Sequence, residues 1–353
     1  MNKIVKIGGK LIGNGQPCFV IAEAGSNHDG SFKKAIKLID IAVDAEADAV
    51  KFQTFKAKKM YTEKAGVLNY IGTKKSIYQV VKEMEMPKKW IPKLSQYCKK
   101  KKIIFISTPC DEESVDILNP YVPAFKIASY EMTHVPLIKY IARKGKPIII
   151  STGAANMSEV EKLVILLKQF KVKDYILMQC TASYPAKLGD MNVRVISEFK
   201  NKFKVPIGLS DHSREPDIAS LAAVSLGANI IEKHFTISNK LPGPDHKFAI
   251  EPYELKLMVE KIRATELTLG KGKKITLKSE FYLRNFARRS IYAIRNIKKG
   301  ERLTKNNIAI LRRGDNKSGI NPNDFIKIIN KKAIRDIKIY EPINWIILAK
   351  NEN

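Results

Sequence analysis

Short apolar runs alternate with longer stretches of helical periodicity between positions 19 and 237 of this 353-residue chain. This rhythm is typical of β/α units, in which a helix covers each buried parallel strand. Eight such units over about 250 residues favour a TIM barrel, since an open doubly wound sheet normally has fewer strands and a glycine-rich first turn. The eight apolar runs are FVIAEAG, DAVKFQT, IIFISTP, AFKIASY, PIIISTG, YILMQCT, PIGLSDH and NIIEKHFT.

Helices are predicted between these runs and after the last one, where apolar residues recur with the period of a helix. A β-hairpin is predicted before the first run, because KIVKI and KLI flank a Gly-Gly pair. We expect this hairpin to plug the N-terminal end of the barrel. The predicted helices cover residues 32–45, 75–85, 87–101, 112–118, 135–144, 158–169, 193–202, 218–226 and 252–269.

The pattern changes after Leu269, where a basic and aperiodic stretch begins. The sequence therefore predicts a barrel domain over residues 1–270, a linker over 271–286 and a small β-rich domain over 287–353. Within the last domain, a short helix is predicted at 305–308, and the segment NIKKGE is echoed 40 positions later by DIKIYE. A core of this size is marginal, so the small domain is expected to dock on the barrel or on a partner chain.

Composition narrows the class of protein. A hydrophobic fraction of 44% suits a large buried core, and neither a signal-peptide pattern nor a run of about 18 apolar residues is present. We expect a soluble, cytoplasmic protein without membrane insertion. The four cysteines form no C-x-x-C pair, which favours reduced structural thiols. The net charge of +28 is spread over scattered lysines, which favours a solvated surface over nucleic-acid binding.

Polar side chains stand at the ends of the predicted strands, and the C-terminal rim of a TIM barrel is where active sites are built. Alternate residues of a strand share a face, so polar residues two positions apart point into the barrel together. These side chains are expected to converge. They are Glu23, Lys51, Gln53, Lys126, Ser129, Ser151, Ser210, His212, Glu232 and His234.

Two histidines, His212 and His234, end neighbouring strands at matching heights. Adjacent imidazoles on a closed rim suit a divalent cation with coordination positions left open for substrate. The alternative is a pair of hydrogen-bonded histidines that bind no metal.

Two inward lysines, Lys51 and Lys126, together with the serines predict a cradle for a phosphate- or carboxylate-bearing substrate. A buried lysine can instead be the structural partner of a carboxylate such as Glu23 or Glu232. For Glu232, a supporting role beside the metal and an ion pair with a lysine are both open.

The motifs EAGSNHDG, VKFQTF, FKIAS, STGA, QCTASYP, GLSDHS, IEKHFT and LPGPDHKFA occur in this order and resemble the sialic acid synthase family. The C-terminal RRSIYAIRNIKKGERLTKNNI is similar to the antifreeze-like (SAF) domain that ends those enzymes. The similarity extends over about residues 12–348. It implies a TIM barrel followed by a SAF domain, in a domain-swapped homodimer.

The resemblance also implies an activity, the condensation of phosphoenolpyruvate and water with an N-acetylated hexose such as N-acetylmannosamine. A nonulosonic acid and phosphate are the products. His212 and His234 match the metal ligands of the family, with Mn²⁺ preferred and Mg²⁺ or Co²⁺ as alternatives. Glu23 is the candidate for proton handling. The matching substrate contacts are Lys51, Lys126, Ser129, Ser151 and Ser210 for phosphoenolpyruvate, Gln53, Tyr184 and Asp245 for the sugar, and Arg312 from the partner chain.

Two positions depart from the family pattern. Arg313 replaces a proline in a loop that looks longer, which makes Arg312 the better match for the sugar-reading arginine. Ala182 stands where relatives often have Asn or Ser, so one hydrogen bond to phosphoenolpyruvate is expected to be missing.

Two other functions compete with this one. The first is a different phosphoenolpyruvate-dependent aldol-type synthase on the same fold, which would use a phosphorylated sugar and lack the SAF domain. The second is a basic polyanion-binding protein, which would leave the convergent rim unexplained and would need interleaved aromatic and basic residues that the sequence lacks.

Overall fold

The computed structural model describes residues 3–67 and 74–349. The chain divides into two compact units, Met1–Gly270 and Lys271–Asn353. Among the described residues, no helix is long and apolar enough to cross a bilayer.

The chain begins with the predicted antiparallel hairpin, formed by β1 (Val5–Ile7) and β2 (Lys10–Ile12). The turn between them consists of Gly8 and Gly9, whose φ angles are 55° and 93°. Residues other than glycine rarely adopt such positive φ angles, which a tight hairpin turn requires.

A barrel of parallel strands follows. In the described part of the chain its eight strands are hydrogen-bonded in the order β5-β4-β3-β10-β9-β8-β7-β6, and β5 and β6 lie against each other where the ring closes. This confirms the TIM barrel. The strands are β3 (Phe19–Gly25), β4 (Ala49–Thr54), β5 (Ile104–Pro109), β6 (Phe125–Ile127), β7 (Ile148–Ser151), β8 (Tyr175–Cys180), β9 (Ile207–Asp211) and β10 (Ile230–His234).

Helices alternate with these strands, as predicted, with boundaries shifted by a few residues. Local sequence explains several of their starts: Asn156 and Glu159, for example, form a reciprocal capping box at the start of α7. The helices are α1 (Phe32–Asp44), α2 (Ala57–Met60), α3 (Ile77–Glu83), α4 (Ile91–Lys101), α5 (Glu112–Leu118), α6 (Val135–Ala142), α7 (Met157–Gln169), α8 (Val195–Phe203), α9 (Ile218–Ser225) and α10 (Pro252–Leu269).

The alternation of strand residues produces two apolar layers. On β10, Ile231 belongs to the outer layer between strands and helices, whereas Ile230 belongs to a cluster inside the barrel. Val5, Ile7 and Ile12 of the hairpin are fully buried in that inner cluster. The hairpin therefore fills the N-terminal end of the barrel, which leaves the opposite rim as the open end.

The second unit contains α11 (Phe281–Ala287), β11 (Arg289–Ala293), β12 (Ile308–Arg312) and α12 (Phe325–Ile328), with β11 and β12 paired antiparallel. Most of α11 lies in the segment predicted as a linker. The helix predicted at 305–308 is wrong. The side chain of Asn307 accepts a hydrogen bond from the Thr304 backbone and closes a turn, after which Ile308 pairs with Ala293.

The internal echo corresponds to real pseudo-symmetry. Arg295 pairs with Glu301 at 2.5 Å, and Arg335 pairs with Glu341 at the same distance. Both glutamates also accept a hydrogen bond of 3.0 Å from the backbone three residues earlier. Repeated sequence has therefore folded into repeated turns around one small apolar core.

Replacing Ile7 with Ala should destabilise the protein by about 2–5 kcal/mol, because it leaves a cavity in the plug of the barrel. Leu11→Ala is the matched control on the same hairpin, since Leu11 is 44% exposed. Urea denaturation followed by far-UV circular dichroism measures the difference. Equal effects of the two variants would contradict the plugging role.

Candidate active site

Parallel register brings the polar strand ends to one level of the rim. Glu23 lies beside Lys51 on one side and His234 on the other, and Glu232 lies beside Ser210. All five side chains are buried. The predicted convergence at the C-terminal rim is therefore present in the structure.

The centre of the rim is a row of alternating charges. Lys51 Nζ lies 2.8 Å from Glu23 Oε2 and 3.7 Å from Glu232 Oε1, and Lys126 Nζ lies 3.5 Å from the same Glu232 oxygen. Gln53 extends the row by donating a 2.9 Å hydrogen bond to Glu23. Both lysines are thus paired with carboxylates, and Glu232 has the ion-pair geometry that the sequence left as one of two alternatives.

Hydroxyl groups surround these charges. Lys126 donates to Ser151 Oγ at 2.6 Å, and Ser210 donates to Glu232 at 3.1 Å. The backbone N–H of Gly153 donates to Ser129 Oγ at 2.9 Å, and a β-carbon added to this glycine would lie 2.8 Å from the same oxygen. The arrangement matches an anion cradle of lysines and hydroxyls in which a side chain at position 153 would not fit.

Burial and pairing shift the pKa values of these groups. Burial raises the pKa of Glu23, although Lys51 opposes the shift. Burial alone would also raise the pKa of Glu232, but Lys126 and Lys51 together hold it below its usual value. Glu232 is therefore the firmly ionised carboxylate of the pair.

The two histidines lie side by side, with ring centroids 5.4 Å apart. The Tyr184 ring stacks on His212 at 4.3 Å, and Phe248 packs 5.1 Å from His234. Thus aromatic rings restrict how both imidazoles can turn.

Each histidine has a ring nitrogen that can bind a metal. His212 Nδ1 lies 3.0 Å from the carbonyl of Thr181, so it donates there and leaves Nε2 for a ligand. His234 Nδ1 is buried and has no hydrogen-bond partner among the described residues; the nearest carboxylate oxygen, of Asp245, is 3.9 Å away. Burial, and after it the charges of His212 and Lys51, hold the pKa of His234 well below its usual value, so it is in the neutral form that metals require.

No group of three or more His, Cys, Asp or Glu residues forms a metal-ligand set in the part of the chain that the structure describes. Two imidazoles, one of them with an unpartnered buried nitrogen, still fit a divalent cation, whose remaining ligands would be water and substrate oxygens. The donor set therefore suits an open catalytic site better than a closed structural one.

The loop between β10 and α10 carries Asp245 to the rim. His246, the next residue, holds this loop because its ring nitrogens lie 2.8 Å from Asp29 and 2.6 Å from Thr236. Gly25 has a φ angle of 53°, and a β-carbon there would lie 3.3 Å from the Asp245 carboxylate. Asp245 thus approaches the backbone at the end of β3.

The structure brings most of the predicted residues into one site within the first unit. Arg312 belongs to the second unit, where it is exposed at the end of β12, while the neighbouring Arg313 side chain donates to Asn316 within its own loop. Ala182 lies against the cradle, because a β-carbon on Gly153 would be 3.1 Å from it. The contacts with substrate that the resemblance implies for these residues stay predictions.

Sequence reasoning missed three neighbours of the site. Thr108 lies 3.2 Å from Lys51 Nζ, and the Cys180 sulfur lies 3.7 Å from His212 Nδ1. Strand alternation on β5 and β8 could have identified both. Phe248 lies in a loop, and no periodicity places it beside His234. The four cysteines are all buried and free, as expected.

The chain is similar to known proteins over nearly its whole length. The sequence profile of the NeuB family matches residues 38–274, and that of the SAF domain matches residues 288–345. The spore coat polysaccharide biosynthesis protein SpsE of Bacillus subtilis is 44% identical, with 96% of each chain covered. The N,N'-diacetyllegionaminic acid synthase of Campylobacter jejuni is 42% identical over 91% of this chain and 98% of its own.

A solved structure supports the same family as the sequence relatives. The N-acetylneuraminic acid synthetase of Leptospira borgpetersenii, determined in complex with citrate, superposes with a TM-score of 0.74 at 36% identity, covering 81% of this chain and 97% of that one. The family profile, the sequence identities and the geometry of the rim all indicate the same family. The chain belongs to the NeuB family of carbon–carbon bond-forming enzymes, which its motifs predicted as the sialic acid synthase family, and it ends in a SAF domain.

Proposed function

We propose that this enzyme condenses phosphoenolpyruvate with an N-acetylated amino hexose and water, giving a nonulosonic acid and phosphate. The observation that supports this most is the buried Lys51–Glu232–Lys126 row, with its hydroxyls, beside two neighbouring histidines. An anion cradle next to a site for a Lewis acid matches a reaction between a phosphorylated enol and an aldehyde.

The phosphoenolpyruvate is assigned to the cradle. Lys51 and Lys126 would neutralise its carboxylate and phosphate, and the hydroxyls would accept and donate hydrogen bonds at fixed positions. Because the serines and lysines already hold one another, the cradle is organised before substrate enters. Ser129, Ser151 and Ser210 are the hydroxyls assigned to it.

His212 and His234 are the residues that would hold the metal, Mn²⁺ by preference. When bound, the cation would supply Lewis-acid polarisation of the sugar aldehyde. Burial lowers the pKa of His212, but Cys180 and Glu232 outweigh burial and raise it, so a proton competes with the metal for this imidazole. Tyr184 and Phe248 keep the imidazole rings in place and exclude water from their faces.

Bond changes follow from the chemistry of the substrates. Carbon C3 of phosphoenolpyruvate attacks the aldehyde carbon, and the aldehyde oxygen takes up a proton and becomes a hydroxyl. Water adds at C2 and gives up one proton. The C–O bond to phosphate then breaks as C2 becomes a ketone, and the second proton of the water leaves with the phosphate. Glu23 is assigned to hold or move a proton of that water, since burial raises its pKa and it contacts Lys51 at the rim.

The sugar is assigned to the side of the rim formed by Gln53, Tyr184 and Asp245. We propose that Arg312 of a second copy completes this side in a domain-swapped homodimer. Its exposure at the end of β12 leaves its guanidinium available for such a contact. A diacetamido-trideoxy hexose is the first sugar to offer, since a 42% identical relative is named an N,N'-diacetyllegionaminic acid synthase.

The first test is phosphate release from phosphoenolpyruvate by the purified protein with Mn²⁺. N-acetylmannosamine, its phosphorylated form, a diacetamido-trideoxy hexose and a phosphorylated sugar without an N-acetyl group are offered in turn, with a chelator control. Release should depend on one of the N-acetylated sugars and stop with chelator. Release with phosphorylated sugars that lack an N-acetyl group would contradict the proposed acceptor.

Replacing His212 or His234 with Ala should abolish Mn²⁺ binding and bring phosphate release to background, because each removes one of two protein ligands. Far-UV circular dichroism should be unchanged. His134→Ala is the matched control, since this exposed histidine caps α6 and its loss should cost about 1 kcal/mol of stability without affecting turnover. Full activity in either rim variant would refute the metal assignment.

Asp245→Asn should stabilise the protein above pH 6 while weakening sugar binding. Burial, and next the charge of Glu23, raise the pKa of Asp245 from 3.8 to about 6, so the ionised form costs up to about 3 kcal/mol in the folded state. The cost appears as the pH rises from about 4 to about 6, because there the folded state binds the proton more tightly than the unfolded state does.

Thermal unfolding at about pH 8 and about pH 4 measures this difference. The variant should melt higher than the wild type at the upper pH and show no such gain at the lower one. Asp190→Asn, at an exposed site, is the control. A stabilisation that is equal at both pH values would show that the charge of Asp245 is not its cause.

A further inference from the structure

Lys233 lies between the two residues of the IEKH segment that face the barrel interior, and its own side chain points the opposite way. It is 1% exposed, although it lies on the helix-covered side of the sheet. A lysine is rarely buried so completely unless every donor is satisfied. Its contacts therefore indicate what it does there.

All the contacts of this ammonium group lead to one segment. Lys233 Nζ lies 3.0 Å from Asp211 Oδ2 and donates at 2.7 Å to the carbonyls of both Ser213 and Glu215. Asp211 in turn accepts hydrogen bonds of 2.8 Å and 2.7 Å from the backbone and hydroxyl of Ser213, and one of 3.1 Å from Ser220 of α9.

The segment fixed in this way begins immediately after His212. On its other side, the carbonyl of His212 accepts a 2.9 Å hydrogen bond from the backbone of Ala186, two residues beyond the Tyr184 that stacks on the His212 ring. The backbone of His212 is thus held from both directions, by Asp211 with Lys233 on one side and by Ala186 on the other.

We propose that Lys233 is a positioning residue for the metal site: from behind the sheet, it fixes the backbone that aims the His212 imidazole at the cation. The inference rests on the metal site of the proposed function. It assigns no contact between Lys233 and substrate. Partners that orient a metal ligand typically account for about 10–100-fold in metal affinity.

Mn²⁺ affinity of the full-length protein, measured by electron paramagnetic resonance of the free ion, tests this inference. Lys233→Met should weaken Mn²⁺ binding by about 10–100-fold, and Lys233→Arg should recover part of the loss because it keeps a charge and several donors. Lys261→Met is the matched control. It removes an ion pair with Asp217 at the start of α9, on the solvent side of the same region.

Ser213→Ala provides a milder variant in case Lys233→Met does not fold. It removes the hydroxyl that hydrogen-bonds to both Asp211 and Lys233, and Mn²⁺ affinity should fall by about fivefold, a change comparable to that from one typical hydrogen bond. Affinity equal to that of the wild type in the folded Lys233→Met or in Ser213→Ala would overturn the positioning role. If the wild type itself binds no Mn²⁺, the metal site of the proposed function fails first, and this inference falls with it.

Discussion

The ion pairing of Glu232 with two lysines is the interaction on which the rim depends. Lys51, Lys126 and Glu232 are each at most 3% exposed, and a buried charge without a partner would cost several kcal/mol. The three groups therefore stabilise each other only in this arrangement, and they have to reach it from three different strands. The closed barrel supplies the fixed strand positions that this requires.

The same buried groups that are assigned to bind substrate and metal also lower the stability of the folded protein. The rim combines carboxylates whose pKa values burial raises, such as Glu23 and Asp245, with a His234 nitrogen that has no partner among the described residues. Groups of this kind cost folding free energy, and the apolar layers and the hairpin plug offset that cost elsewhere. Such unpaired polar groups are expected where a ligand will complete the set.

Contacts on both faces of the sheet hold the two histidines in position. Facing the barrel interior, Tyr184 and Phe248 limit rotation of the rings, while behind the sheet the Asp211–Lys233 pair fixes the backbone. The loop with Asp245 is held similarly, by the contact between His246 and Asp29. Phe248, Lys233 and His246 are assigned no contact with substrate, and they help to position residues that are assigned to bind metal or sugar.

Sequence alone determined the barrel, its strands and helices, and the inward direction of Glu232 and His234, because each follows from local periodicity and from the two-residue repeat of a strand. The turn at 305–308 was predicted as a helix, since the side-chain bond of Asn307 and the pairing of Ile308 override a short local pattern. Only the tertiary structure decided that Lys233 holds the segment after His212 and that Phe248 packs on His234. Those contacts join residues from different loops and strands, and their distances depend on how the whole ring of strands closes.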